Sequence, residues 1–302
     1  MTTKIKSNTL VLVFCLAFIA VFVTNPSVYM QSTLKGLNVW LNAIVPSLFP
    51  FFFASKLLTN ALPPFRSAST NIFLISIVSG YPVGAKLLAD KCKNGEIDAD
   101  YCTRALALCS TSGPLFLLGS VGIGIFHSYK AGIILLVSHI LGSILNGLIY
   151  RRKTTTNLAP LPPRSLNLGD TMYDSIVSLL LVGGFITLSF VMVDMLVNIG
   201  LIDLLTRLLT SIFHTNFDST KAVLCGLIEM TRGCIEVQGA GTNISTSLIL
   251  CSGLVGFAGV SVFLQTVCFL PPSIKRKRII LQKITQAILC MLVCALICMI
   301  FY

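Results

Sequence analysis

Two stretches of this chain place ionisable side chains and glycines inside otherwise apolar sequence. The first is Ser79-Gly80-Tyr81-Pro82-Val83-Gly84-Ala85-Lys86, and the second is Gly226-Leu227-Ile228-Glu229-Met230-Thr231-Arg232-Gly233. A charge at the centre of a membrane-spanning helix costs about 2.5–3.5 kcal/mol on insertion scales, so it faces a cavity or a partner. Glycine and proline at the same depth release backbone groups, which survive only where they line protein or water. Lys86 and Arg232 offer cations to an anionic ligand, and Glu229 offers a proton site, a cation site or a counter-charge. Tyr81 adds a phenol and a stacking face, while Gly80, Pro82, Gly84 and Gly233 give the backbone room to approach a ligand. Binding and moving a small anion is the chemistry this set suits.

A purely structural role stays open at each position. Glu229, Arg232 and Glu236 stand at i, i+3 and i+7, on one face of a helix, and could neutralise one another. Lys86 could snorkel toward Asp90, four residues on. Ser110-Thr111-Ser112-Gly113-Pro114 can open a half-helix whose unpaired N–H groups face an anion, or its hydroxyls can bond back to nearby carbonyls. Gln265, within the apolar run 248–270, completes the expected inner shell with Tyr81, Lys86, Ser110, Ser112, Glu229 and Arg232. Gly113 and Pro114 join the hinge residues. The three histidines, His127, His139 and His214, form no metal-ligand set, and no phosphate loop, metalloprotease motif or nucleophile elbow occurs. Neither a metal, a cofactor nor an enzymatic reaction is called for.

The elements that must hold these residues are membrane spans. Of the 302 residues 55% are hydrophobic and only 11% charged, with a mean hydropathy of +0.88. Soluble domains carry about 25% charged residues, so this surface needs lipid. The net charge of +11 comes from basic runs such as Arg151-Arg152-Lys153 and Lys275-Arg276-Lys277-Arg278, each beside an apolar segment. That placement fits the cytoplasmic flanks of spans better than a nucleic-acid surface. Most of the eleven cysteines fall in apolar runs, where free Cys packs as a small hydrophobe. The run 10–23 reads as an uncleaved first helix, and 34–58 as a bent or interfacial element with Trp40 at headgroup level. The segment 199–213 is amphipathic, with Asp203 and Arg207 spaced i, i+4.

The order of elements occurs twice: span, short element, charged broken segment, polar gap, glycine-rich segment, final span. Cys109-Ser110 and Cys251-Ser252 fall at corresponding places. The division expected is a first membrane repeat at 1–150, a basic Pro-rich linker at 151–168 and a second repeat at 169–302. The fold class expected is an all-α polytopic membrane protein. Two pseudo-repeats of glycine-broken helices or re-entrant hairpins would surround a midplane site, since counting every apolar run as a crossing places Lys275 on the wrong side.

Several of these motifs resemble one family. Trp40-Leu41, Pro46-Ser47-Leu48-Phe49-Pro50-Phe51, Gly80-Tyr81-Pro82-Val83-Gly84-Ala85-Lys86 and Ser112-Gly113-Pro114-Leu115-Phe116 resemble the YlbJ-type sporulation integral membrane proteins. Glu229-Met230-Thr231-Arg232-Gly233 and Gly259-Val260-Ser261-Val262-Phe263-Leu264-Gln265 resemble the second-half motifs of that group. The resemblance implies a nucleoside-recognition, or Gate, domain related to concentrative nucleoside transporters. It also implies a role in spore maturation, moving dipicolinic acid from the mother cell across the outer forespore membrane. Lys86 and Arg232 would then bind the dianion and Glu229 would couple or counterbalance it. A carrier for a nucleoside or another small anion is the first alternative; a non-transporting membrane scaffold for spore assembly is the second. The lipid bilayer and a small solute are the partners implied, with no nucleic acid. Coupling ion, direction, oligomeric state and the balance of full spans against hairpins stay open.

Overall fold

In the computed structural model, residues 2–61, 68–151 and 167–302 are described, and among them every regular element is helical. Thus most of the expected linker, and the Pro63-Pro64 turn, lie outside the described residues. The chain begins with α1 (Thr2–Thr24) and α2 (Pro26–Val39), bent by 108° where Asn25-Pro26 interrupts them. A π-helical turn (Trp40–Ile44) leads into α3 (Val45–Ala61). Next come α4 (Ala68–Ser79), α5 (Val83–Lys93), α6 (Ala99–Cys109), a π-helical stretch (Phe116–Ile125) and the span α7 (Tyr129–Tyr150). The second half runs α8 (Leu168–Asn198), α9 (Leu201–Phe213), α10 (Phe217–Ile228), α11 (Met230–Gly239), α12 (Ile244–Phe257), α13 (Gly259–Phe269) and α14 (Arg276–Phe301).

Length and hydropathy divide these helices into two kinds. Helices α7, α8 and α14, and α12 with α13 as one unit of 26 residues, are long and apolar enough to cross a bilayer; the bent α1–α2 pair would make a fifth span. Others, such as α4 and the π-helical stretch, are apolar but only half that length. The chain breaks between helices lie at 80–82, 110–113, Glu229 and Ala258: α4 ends at the first, and the π-helical stretch follows the second. The all-α polytopic class is as expected.

The breaks pair within each half. Gly80, at φ +79°, lies so close to Gly113 that a Cβ on it would stand 2.7 Å from the Gly113 nitrogen. In the second half Gly259, at φ +73°, sits over the Glu229 break, where a Cβ would come 3.1 Å from the Ile228 carbonyl oxygen. Positive φ and missing side chains let two interrupted helices cross at their weakest points. Gly84 and Gly233 act differently from expectation: both lie inside helices, Gly84 against α6 and Gly233 against Gly226, and serve close packing instead of the breaks.

Long helices hold these crossings in place. Helix α14 packs between α12 and α7, and α8 carries α2, α3 and α13. Trp40 packs against α8: its indole lies against Gly183, and its N–H donates to the Leu179 carbonyl at 3.2 Å. On amphipathic α9, Asp203 pairs with Lys221 of α10 at 2.8 Å instead of using Arg207. The proposed match of Cys109-Ser110 with Cys251-Ser252 is also displaced. Ser110 lies in a break, whereas Cys251 and Ser252 sit within α12, several residues before Ala258. The cysteines are free, and most are buried, as a packing role requires.

Candidate functional site

Three of the four chain breaks line one cavity, and α13, the helix after the fourth, adds Val262 and Gln265. Gly80, Tyr81, Ser112 and Gly113 line it from the first half, and Glu229, Thr231 and Gln265 from the second; Val182 and Ile186 of α8 supply an apolar wall. The cavity and its mouth together hold about 430 Å³ of empty space. Each lining break precedes a helix: Tyr81-Pro82 precedes α5, Ser112-Gly113 the helical residues from Pro114, and Glu229 α11. Helix N-termini carry unpaired N–H groups and the positive end of the helix dipole, so their convergence suits polar or anionic ligand atoms.

The polar side chains here are almost dry. Glu229 is 1% exposed and Gln265 2%. Glu229 adopts extended backbone, φ −136° and ψ 110°, and its carboxylate caps α11 by accepting the Arg232 N–H at 2.7 Å. Gln265 donates to the Ser261 hydroxyl at 3.3 Å, which leaves its carboxamide oxygen for other partners. The Ser112 N–H donates to His139 Nε2 at 2.8 Å. That nitrogen is therefore an acceptor, and the imidazole is held as the neutral tautomer with its proton on Nδ1, facing Cys290 Sγ at 3.9 Å. The buried hydroxyls of Ser79, Ser110 and Thr111, all beside the first pair of breaks, have no hydrogen-bond partner among the described residues.

Two of the expected anion ligands lie elsewhere. Arg232 points out of the cavity: its guanidinium pairs with Asp194 of α8 at 2.6 Å and Glu236 at 2.7 Å, and donates to the Phe190 carbonyl at 3.3 Å. Because the helix breaks at Glu229, the single face expected for Glu229, Arg232 and Glu236 does not form; only Arg232 and Glu236 share it. Asp194 also accepts from Ser32, tying α2 into the same cluster. Lys86 lines a second, smaller recess with Asp174, Ser175 and Ser178. It turns toward α8 and away from Asp90, donating to Ser178 Oγ at 2.5 Å and standing 5.5 Å over the Phe269 ring. Ser110 contributes its carbonyl to the neighbouring network, while Ser112, Tyr81, Glu229 and Gln265 line the cavity.

Sequence reasoning missed a cation bonded to the cavity wall, Lys283 of α14. Its ammonium donates to Tyr81 Oη, the Ser110 carbonyl and Gln286 Oε1, each at 2.9 Å, and lies 4.4 Å from the Tyr81 ring centroid. Gln286 also donates to Ser143 of α7 at 2.8 Å. A signal was present in the sequence: the buried face of α14 reads Ile279, Gln282, Lys283, Gln286, Cys290, Cys294 and Cys298, a polar and small-residue stripe at helical spacing.

Long apolar helices carrying interrupted, mutually crossing partners around a largely apolar cavity with a few buried polar groups define a multi-pass integral membrane protein. The chain is 28% identical to the sporulation integral membrane protein YlbJ of Bacillus subtilis (strain 168), over 94% of its own length and 81% of that protein's. Running nearly end to end, that similarity supports the YlbJ-type designation. No protein-family model and no solved structure matches the chain.

Proposed function

We propose that the protein is a sporulation membrane transporter of a small solute, and that the cavity where the breaks of the two halves meet is where the solute binds. The observation that carries this reading is the convergence of three breaks, from both halves of the chain, on one cavity whose lining includes the buried side chains of Tyr81, Ser112, Glu229 and Gln265. Interrupted helices in both halves of a membrane protein put free backbone groups at the depth of the bilayer centre, the usual place for a transporter's substrate. An assembly scaffold gains nothing from a buried carboxylate and carboxamide facing a void.

The solute proposed is dipicolinate, a planar pyridine dicarboxylate, exported from the mother cell across the outer forespore membrane. Three features support an anion: helix N-termini around the cavity, the Lys283 ammonium directly behind Tyr81, and the similarity to YlbJ. The Gate-type ancestry and the internal duplication belong to the same proposal, since each half brings its own pair of crossing breaks. A second reading, a nucleoside carrier, is favoured by Glu229, because a carboxylate beside a carboxamide suits the hydroxyls and base edge of a nucleoside.

Uptake into proteoliposomes separates the two. Labelled dipicolinate is expected to accumulate, to resist competition by nucleosides, and to lose transport in Gln265→Leu, whose shape is kept while its hydrogen bonds are removed. Accumulation of a nucleoside alone would transfer the assignment to the second reading.

A further inference from the structure

We propose that Lys283 selects for carboxylate-bearing solutes, acting through the hydroxyl of Tyr81; this rests on the transport reading above. The lysine is 7% exposed on α14, a helix fit to span the bilayer. Three acceptors at 2.9 Å take its three N–H bonds, and two of them, the Ser110 carbonyl and the Gln286 carboxamide oxygen, can only accept. The third is Tyr81 Oη, whose own proton goes to the Val255 carbonyl at 3.2 Å. This is the donor pattern of an ammonium.

Its partners are all neutral. The ionisable groups around it are Tyr81 at the first break, His139 of α7, held neutral by Ser112, and Cys290 on α14 itself; no carboxylate pairs with it among the described residues. The two basic side chains first expected at the site have different settings: Arg232 has two carboxylates, and Lys86 faces a separate recess. A desolvated cation without a counter-charge is costly at this depth, and an arriving anion supplies the missing charge.

Tyr81 is the connecting group because it belongs to both places. It lines the cavity, and it accepts from Lys283. A phenol that accepts from a cation is a stronger donor toward an anion. The solute's carboxylate would therefore take the Tyr81 proton now given to Val255, releasing the tie between the first break and α12. Lys283 is thus a positioning residue and Tyr81 the group that touches solute.

The test compares pyridine-2,6-dicarboxylate with its uncharged analogue pyridine-2,6-dicarboxamide, binding to purified full-length protein by titration calorimetry. Lys283→Met and Tyr81→Phe are expected to weaken the dicarboxylate about tenfold or more, the scale of a hydrogen bond to a charged group, and the diamide by less than about twofold. Lys283→Arg, which keeps the charge, should recover most of the loss. Equal losses for both compounds, or no loss for the dicarboxylate, would overturn the assignment while leaving the transport reading standing. Wild-type protein that binds neither compound would overturn the dipicolinate reading, and the Lys283 proposal with it.

Discussion

Two cations held among the helices of this molecule, Arg232 and Lys283, are treated in opposite ways. Arg232, with its side chain 16% exposed, has a carboxylate on either hand and joins α11 to α8. Lys283 has three oxygens at equal distance and no carboxylate among the described residues. An ion pair that closes on itself fixes helices and leaves no affinity over for a solute. A cation given only neutral acceptors keeps its attraction for one. Charge inside the membrane is therefore a weak pointer to function until its counter-charge is known.

The contrast predicts different consequences for removing each charge. Lys283→Met should show the largest functional effect, a loss of dicarboxylate affinity of about tenfold or more, with the melting temperature unchanged or raised because an apolar residue replaces a desolvated charge. Arg232→Met should reverse that pattern. It strands Asp194 and Glu236, so unfolding in detergent should become easier by about 2–3 kcal/mol, while folded protein binds the dicarboxylate within about twofold of wild type. If Arg232→Met abolished binding at unchanged stability, the division between the two cations would fail. Asp194→Asn is a milder version, keeping a partner for Ser32 and Arg232 but losing the charge; chemical denaturation should register about 1 kcal/mol. Lys86→Met should be the smallest, about 0.5–1 kcal/mol of stability lost with its Ser178 bond and no change in solute affinity.

The comparison also shows what the sequence could disclose. The break at Gly80-Tyr81-Pro82 was legible because glycine and proline are the residues an interrupted helix needs, and that at Glu229 because charge interrupted an apolar run. Ala258 was not: nothing in an alanine announces φ +73°, and only the glycine after it hinted at a crossing. Side-chain direction was the harder problem. Arg232 and Glu229 are three residues apart, which on an unbroken helix makes them neighbours; one extended residue at Glu229 turns the arginine toward α8 and leaves the carboxylate in the cavity. Asp194, its partner, is 38 positions earlier in the chain and could not be paired with it by spacing. Lys283 was hidden for a related reason. Five residues after the basic run at 275–278, it reads as one more juxtamembrane lysine, and only the polar stripe through Gln286 marks it as facing inward.

The account stands on the solute occupying the cavity lined by the breaks of both halves, and a cryo-EM map of the protein with pyridine-2,6-dicarboxylate tests that most directly. Density for a planar ligand bounded by Tyr81, Ser112, Glu229 and Gln265 is the result predicted. Density in the Lys86 recess or beside Arg232, with the central cavity empty at saturating ligand, would contradict it.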